Sequence, residues 1–176
     1  DGSWSDSSIW STNQVPGLNA RVSIPHNIHV TYNVQSETEI DCIEIADQAE
    51  LQWVTNQDTR LRVTHLQVLP NGILTIGTAG SPVAAAHSAE LVIRDVALDV
   101  NGSDPSQYGN GLNVFGAMIV HGAPMDRAYL RFASEVHLGQ VTLQMEQPPS
   151  GWNPGDRLII PDTRQIPFRI GWNGKG

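Results

Sequence analysis

The feature that most constrains this chain is a repeated interval. Ile28, Leu51 and Leu74 stand 23 residues apart, and so do Val30, Trp53 and Ile76. A second series keeps the same step, through Ile43, Leu66 and Ala89 and through Ile45, Val68 and Leu91. Around each position, apolar and polar residues alternate, which is the period of a strand with two different faces. Asn71-Gly72-Ile73-Leu74-Thr75-Ile76-Gly77 is the clearest case, one short strand between a turn and a glycine stop. A constant step between short strands is the pattern of an array in which each unit buries its apolar face against its neighbours. The expected fold is all-β: a right-handed parallel β-helix, or β-solenoid, with coils of about 23 residues.

Composition agrees with strands and turns. Charged residues make up 16% of the 176, while Gly and Pro number 16 and 11. Apolar residues at helical spacing are absent over long windows, and no run of 18 apolar residues is long enough to cross a bilayer as a helix. The net charge is −8. Most of it falls before residue 126, where 13 acids face 4 bases. Such a body lacks the Lys and Arg track that a nucleic-acid backbone requires. A single Cys42 excludes an internal disulfide; between Asp41 and Glu44 it reads as a small strand hydrophobe rather than a nucleophile.

Residues 1–18 form a polar lead-in whose Trp4 and Trp10 are expected to pack over the coil. Residues 19–163 are the β-helix, and residues 164–176 a C-terminal extension. The register is expected to break after residue 94, where residues 99–111 form a polar, glycine-rich, protruding loop. Nothing near the C-terminus looks like a cap. An uncapped coil implies either a longer parent chain or a further copy covering the exposed strand edge.

Several short motifs occur in a particular order. Trp4 and Trp10 precede Val15-Pro16-Gly17 and Val22-Ser23-Ile24-Pro25. Gly72-Ile73-Leu74-Thr75-Ile76-Gly77-Thr78 follows with Pro82, then Ile119-Val120-His121-Gly122-Ala123-Pro124, and finally Trp152-Asn153-Pro154-Gly155-Asp156 with Thr163. In order and spacing, over roughly residues 4–163, these resemble the G8 domain. The resemblance implies an all-β solenoid from extracellular or membrane-anchored proteins, among them proteins implicated in hyaluronan depolymerisation and fibrocystin-like proteins. It implies a module that is secreted or displayed at the cell surface and that binds or helps process polysaccharide. It carries no catalytic residue onto this chain, and the isolated chain is not expected to be an enzyme; if it were active, the reaction would be glycan depolymerisation.

In a stacked coil, the outward neighbours of the two apolar series form rows about 4.8 Å apart. One row would hold His29, Gln52 and Thr75, the other Glu44, Gln67 and Glu90. Glu44 and Glu90 would then lie about 9–10 Å apart, near the upper end of the range for an inverting glycosidase pair, or simply on a solvated face. Arg60, Arg62 and His65 make the best local positive site for an acidic sugar, because guanidinium forks grip carboxylates. Their alternative is a surface balancing Glu39 and Asp41. His26 and His29 could share a metal only across a turn, and no further ligand stands at a recognised spacing. Asp99, Asn101 and Asp104 place hard oxygens close together, as calcium loops do, although an EF-hand's closing glutamate is missing. Asn101-Gly102-Ser103 is a glycosylation sequon in a secretory host. Two functions follow as expectations: polysaccharide binding on the polar faces, with calcium a possible cofactor, or end-to-end self-association into an oligomer or filament.

Overall fold

In a computed structural model of the chain, residues 1–160 are described apart from positions 99, 103, 105, 126 and 128. The chain divides into two compact units, Asp1–Pro124 and Met125–Gly176. Unit 1 carries ten strands and a short 3-10 turn at Ser7–Ile9, and no α-helix occurs among the described residues. The strands are β1 (Gly2–Ser3), β2 (Arg21–Ile24), β3 (His29–Tyr32), β4 (Gln35–Ile45) and β5 (Glu50–Trp53). They continue with β6 (Thr59–Val68), β7 (Ile73–Ile76), β8 (Ala89–Ile93), β9 (Gly111–Val114) and β10 (Ala117–Val120).

These strands form two sheets, and every named pairing is parallel. One sheet runs β1-β3-β5-β7-β10; the other runs β2-β4-β6-β8, with β9 also on β6. Each strand therefore pairs with one from the next level of the sequence rather than with its immediate neighbour. Inward positions stack. Ile43 pairs with Leu66 and Ile45 with Val68, both at the expected step of 23. Leu51 pairs with Leu74 at the same step. All six are completely buried. Removing a side chain of this size from water stabilises the fold by about 1.5–3 kcal/mol.

The expected register fails in two places. Leu51 pairs with Val30, not Ile28, and Trp53 pairs with Tyr32, so the first step is 21 residues. Ala89 and Leu91 pair with Thr59 and Leu61, not with Leu66 and Val68. The positions beside Leu66 and Val68 belong instead to Leu112 and Val114. The third level is thus split: β8 covers the first half of β6 and β9 the second, with residues 94–110 inserted between them.

Strands β4 and β6 bend at matching points. Ile40 and Ile43 are both buried, as are Val63 and Leu66, so two residues rather than one separate successive inward positions. The pair Ile40 and Val63 and the pair Ile43 and Leu66 are in register, so the bends stack. Beyond β4 and β6 the corners also stack closely. A Cβ on Gly72 would stand 2.8 Å from the carbonyl oxygens of Ile45 and Ala46, and one on Gly116 would stand 2.3 Å from that of Gly72. Only glycine lets the chain pass here.

The lead-in joins the first level. β1 pairs with β3, and Trp4 is buried. Its ring meets Tyr32 edge-on at 5.1 Å, and Tyr32 meets Trp53 at 5.0 Å, an aromatic series that climbs through the core. Trp10 packs on Trp4 at 5.0 Å and donates its indole N–H to the Trp4 carbonyl.

Unit 2 is built differently. An antiparallel bridge joins Phe132 to Met145, while Tyr129–Leu130, Val141–Leu143 and Arg157–Ile160 are irregular. The extension at residues 164–176 lies outside the described residues.

Candidate functional site

Three polar surfaces of unit 1 carry the residues singled out by sequence. The first is the outer face of the β4, β6 and β8 strands. Arg60 pairs directly with Glu90 across β6 and β8. Its Nε lies 2.5 Å from Glu90 Oε2, and its Nη1 is bonded to Glu37 Oε1. Arg62 reaches Glu37 Oε2 at 3.4 Å and Glu39 Oε1 at 3.2 Å. Arg94, which the sequence did not single out, places Nη2 2.9 Å from Glu39 Oε2 and Nη1 3.2 Å from Thr64 Oγ1. Three arginines and three glutamates therefore cancel in formal charge. The hydrogen bonds that Arg60 donates to Glu90 and then to Glu37 hold its guanidinium above its ordinary pKa. Glu37 and Glu39 lie in the polar run Gln35-Ser36-Glu37-Thr38-Glu39, which had no strand signal of its own. Its partners on β6 make it a strand.

The second surface lies beyond the bend of β4 and β6. His65 is not an exposed ligand beside Arg60 and Arg62. It is 1% exposed, with Nδ1 3.0 Å from the carbonyl oxygen of Gly109. The Gly109 carbonyl thus ties the segment between β8 and β9 to the sheet at His65. Arg21 on β2 donates to the Gly102 carbonyl at 3.3 Å. Asp104 is wholly buried and organises the segment: its two carboxylate oxygens accept from the backbone N–H groups of Tyr108 and Gly109, each at 2.8 Å. Those oxygens, proposed from sequence for calcium, are committed to backbone donors. Asn101 is exposed, and Asp99 lies outside the described residues. Among the described residues no group of three or more His, Cys, Asp and Glu side chains is placed to hold a metal. Cys42 is half-buried in the same region; burial pushes its thiol up, against the pull of Arg21 and with added repulsion from Asp41, Glu44 and Asp104.

The expected row Glu44–Gln67–Glu90 does not form. Glu44 pairs with Ser23 on one side and Gln67 on the other, and Gln67 continues to Asn113. Glu90 belongs to the Arg60 cluster. The two carboxylates therefore occupy different rows, and the acid–base spacing argued from their stacking does not hold.

The third surface is the outer face of β3, β5 and β7. Here the row is Thr31, Gln52 and Thr75, and His29 stands instead beside Glu50. His29 Nδ1 is 3.8 Å from Glu50 Oε2, and Thr75 donates its hydroxyl to Glu50 Oε1 at 2.6 Å. His26 is held apart from His29 by its own contact, 3.0 Å to Asp47 Oδ2.

Unit 2 contains an apolar hollow of about 590 Å³ lined by Tyr129, Phe132, Met145 and Trp152, with Asp156 and Arg157 at its margin. Trp152 and Asp156 belong to a motif read from sequence, which gave no sign of a hollow.

Taken together, unit 1 is an all-β domain of parallel strands in two sheets, with polar residues in register along their outer faces. The chain belongs to the G8 domain family, whose model matches residues 9–133. The match takes in all three surfaces and stops short of the Trp152–Thr163 stretch. Among curated proteins and among solved structures, nothing matches the chain.

Proposed function

We propose that this chain is an extracellular G8 module that binds polysaccharide, and that unit 1 is a right-handed parallel β-helix. The alternation of strands between two parallel sheets supports the helix, and the strong preference for right-handed crossovers supports its hand. The observation that carries the binding reading is the pair of adjacent rows on β2, β4, β6 and β9. Ser23, Glu44, Gln67 and Asn113 form one row. Beside it the ladder continues one residue further, because Ala46, Leu69 and Phe115 each donate their N–H to the strand below. A flat strip with one polar and one apolar edge suits an extended polymer of sugar rings, which presents hydroxyls and C–H faces together. Gel electrophoresis through immobilised hyaluronan and other polysaccharides, with calcium present, tests the reading. Retarded migration supports it; unretarded migration with every polymer, and no change in polymer length, rejects it.

A second reading has its own observation. Along the columns of the core, exposure rises abruptly at the last level. Leu74 and Val68 are fully buried, whereas their partners Met118 and Val114 are 42% and 39% exposed. Strand β10 also ends its sheet. An apolar edge strand of this kind is a template for association with another copy. The opposite edge is occupied by β1 and Trp4, which favours pairing of two last levels over a continuous filament. Sedimentation at rising concentration decides this: a dimer supports it, and a monomer throughout excludes it.

A further inference from the structure

We infer that the sugar contact is made by Tyr108, Phe115, Asn113 and Gln67, and that the site takes an uncharged pyranose ring rather than a uronate. This rests on the polysaccharide reading above. Tyr108 and Phe115 are each 50% exposed and their ring centroids lie 5.3 Å apart at 55°. Both are anchored: the Phe115 N–H donates to the Val68 carbonyl at 2.8 Å, and the Tyr108 N–H donates to Asp104 Oδ1. A water-facing aromatic pair fixed at its backbone offers negative ring faces to the weakly positive C–H groups of a sugar.

Asn113 stands two residues before Phe115 on the same outward face and pairs with Gln67 below it. Asn113 and Gln67 are each partly exposed there. Side-chain amides beside the aromatic pair supply the donor and acceptor that sugar hydroxyls or an N-acetyl group require.

Charge decides the class of ring. Glu44 is the one formal charge in the row Ser23, Glu44, Gln67 and Asn113. Arg21, two residues before Ser23, is turned to the Gly102 carbonyl. A carboxylate-bearing sugar would meet Glu44 with no cation in its row, while the arginines of the first surface are already bound to glutamates.

Titration of the full chain with N-acetylglucosamine oligomers, a neutral β-glucan and hyaluronan tests the inference. The neutral probes are expected to bind, and Phe115→Ala and Tyr108→Ala each to weaken them about tenfold, the scale of losing one aromatic anchor. Asn113→Leu, which keeps the volume and removes the amide, should weaken them as well. Unchanged melting curves show that the exposed substitutions leave the fold intact. Binding that survives Phe115→Ala and Tyr108→Ala but falls with Arg60→Ala, or a preference for hyaluronan over the neutral probes, overturns this site and leaves the general reading standing. No binding to any probe overturns both. Self-association abolished by Phe115→Ala, without sugar binding, assigns the face to a second copy and overturns the site.

Discussion

Arg60 Nε lies 2.5 Å from Oε2 of Glu90, its direct partner in the adjacent strand. The residue that sequence offered as a grip for an acidic sugar is thus a clamp between β6 and β8, extended to β4 through Glu37. Directly opposed charges of opposite sign stabilise a sheet, and partial exposure lets salt weaken them.

Arg60→Ala is therefore expected to lower the melting temperature, and Arg60→Lys to recover little, since one ammonium cannot satisfy Glu90 and Glu37 with a planar fork. The loss should shrink as sodium chloride is raised from low to high concentration. A salt-independent loss would show that packing of the side-chain stem, not charge, is what Arg60 contributes.

Two substitutions in one column test the stacking. Leu74 is fully buried, and Leu74→Ala should cost about 2–5 kcal/mol in urea unfolding, the range for a core cavity. Met118, its partner one level on, is 42% exposed, and Met118→Ala should cost less than about 1 kcal/mol in a monomer. Equal losses would mean that Met118 is covered in solution.

Gly72→Ala and Gly116→Ala each push a methyl group into backbone oxygen at a stacked corner. Backbone cannot move aside as a side chain does, so each should destabilise by more than about 2 kcal/mol. Gly80→Ala, where a Cβ meets open space, is the control and should be close to neutral. Differential scanning calorimetry of the three variants checks the order.

Tyr32 governs the alkaline limit. It is buried, donates its hydroxyl to the Arg60 carbonyl at 2.7 Å, and burial pushes its pKa well above the ordinary tyrosine value. Because the folded pKa is raised, its contribution is complete below the unfolded value of about 10 and is lost as pH rises through the folded one. Stability should therefore decline above about pH 10. Tyr32→Phe should flatten that decline while costing about 1 kcal/mol at neutral pH for the lost hydrogen bond. Unfolding followed by tryptophan fluorescence at several pH values reads both effects.

Asp104→Ala leaves two backbone N–H groups without acceptors and should free the segment tied to His65. Hydrogen exchange at Tyr108 and Gly109 is expected to quicken, with a global cost of about 1–3 kcal/mol. Since Asp104 already uses both oxygens within the segment, chelation of calcium from the parent protein should leave its melting temperature unchanged. A drop on chelation would restore the calcium reading.

Much of this fold was legible because the 23-residue step is written in residues such as Ile43, Leu66, Leu51 and Leu74 that are all fully buried. The first step was misread for a definite reason. Ile28 and Val30 have the same parity, and a slip of two residues keeps the same side chains inward, so the pattern cannot tell a step of 23 from one of 21. The candidate site was less legible. Arg60, Arg62 and His65 are close in sequence, yet the bend at Thr64 and His65 sends them to different surroundings. The first two meet glutamates drawn from β4 and β8, and the third is tied to a segment from more than 40 residues away.

The sequence alone determined that this chain makes parallel strands, many of the residues that face the core, and which family it belongs to, because alternation and recurrence are local properties that burial enforces. Only the tertiary structure decided which rows share a face. That depends on how residues 94–110 divide the third level and on which outward charges meet across it, and a linear interval holds no record of either.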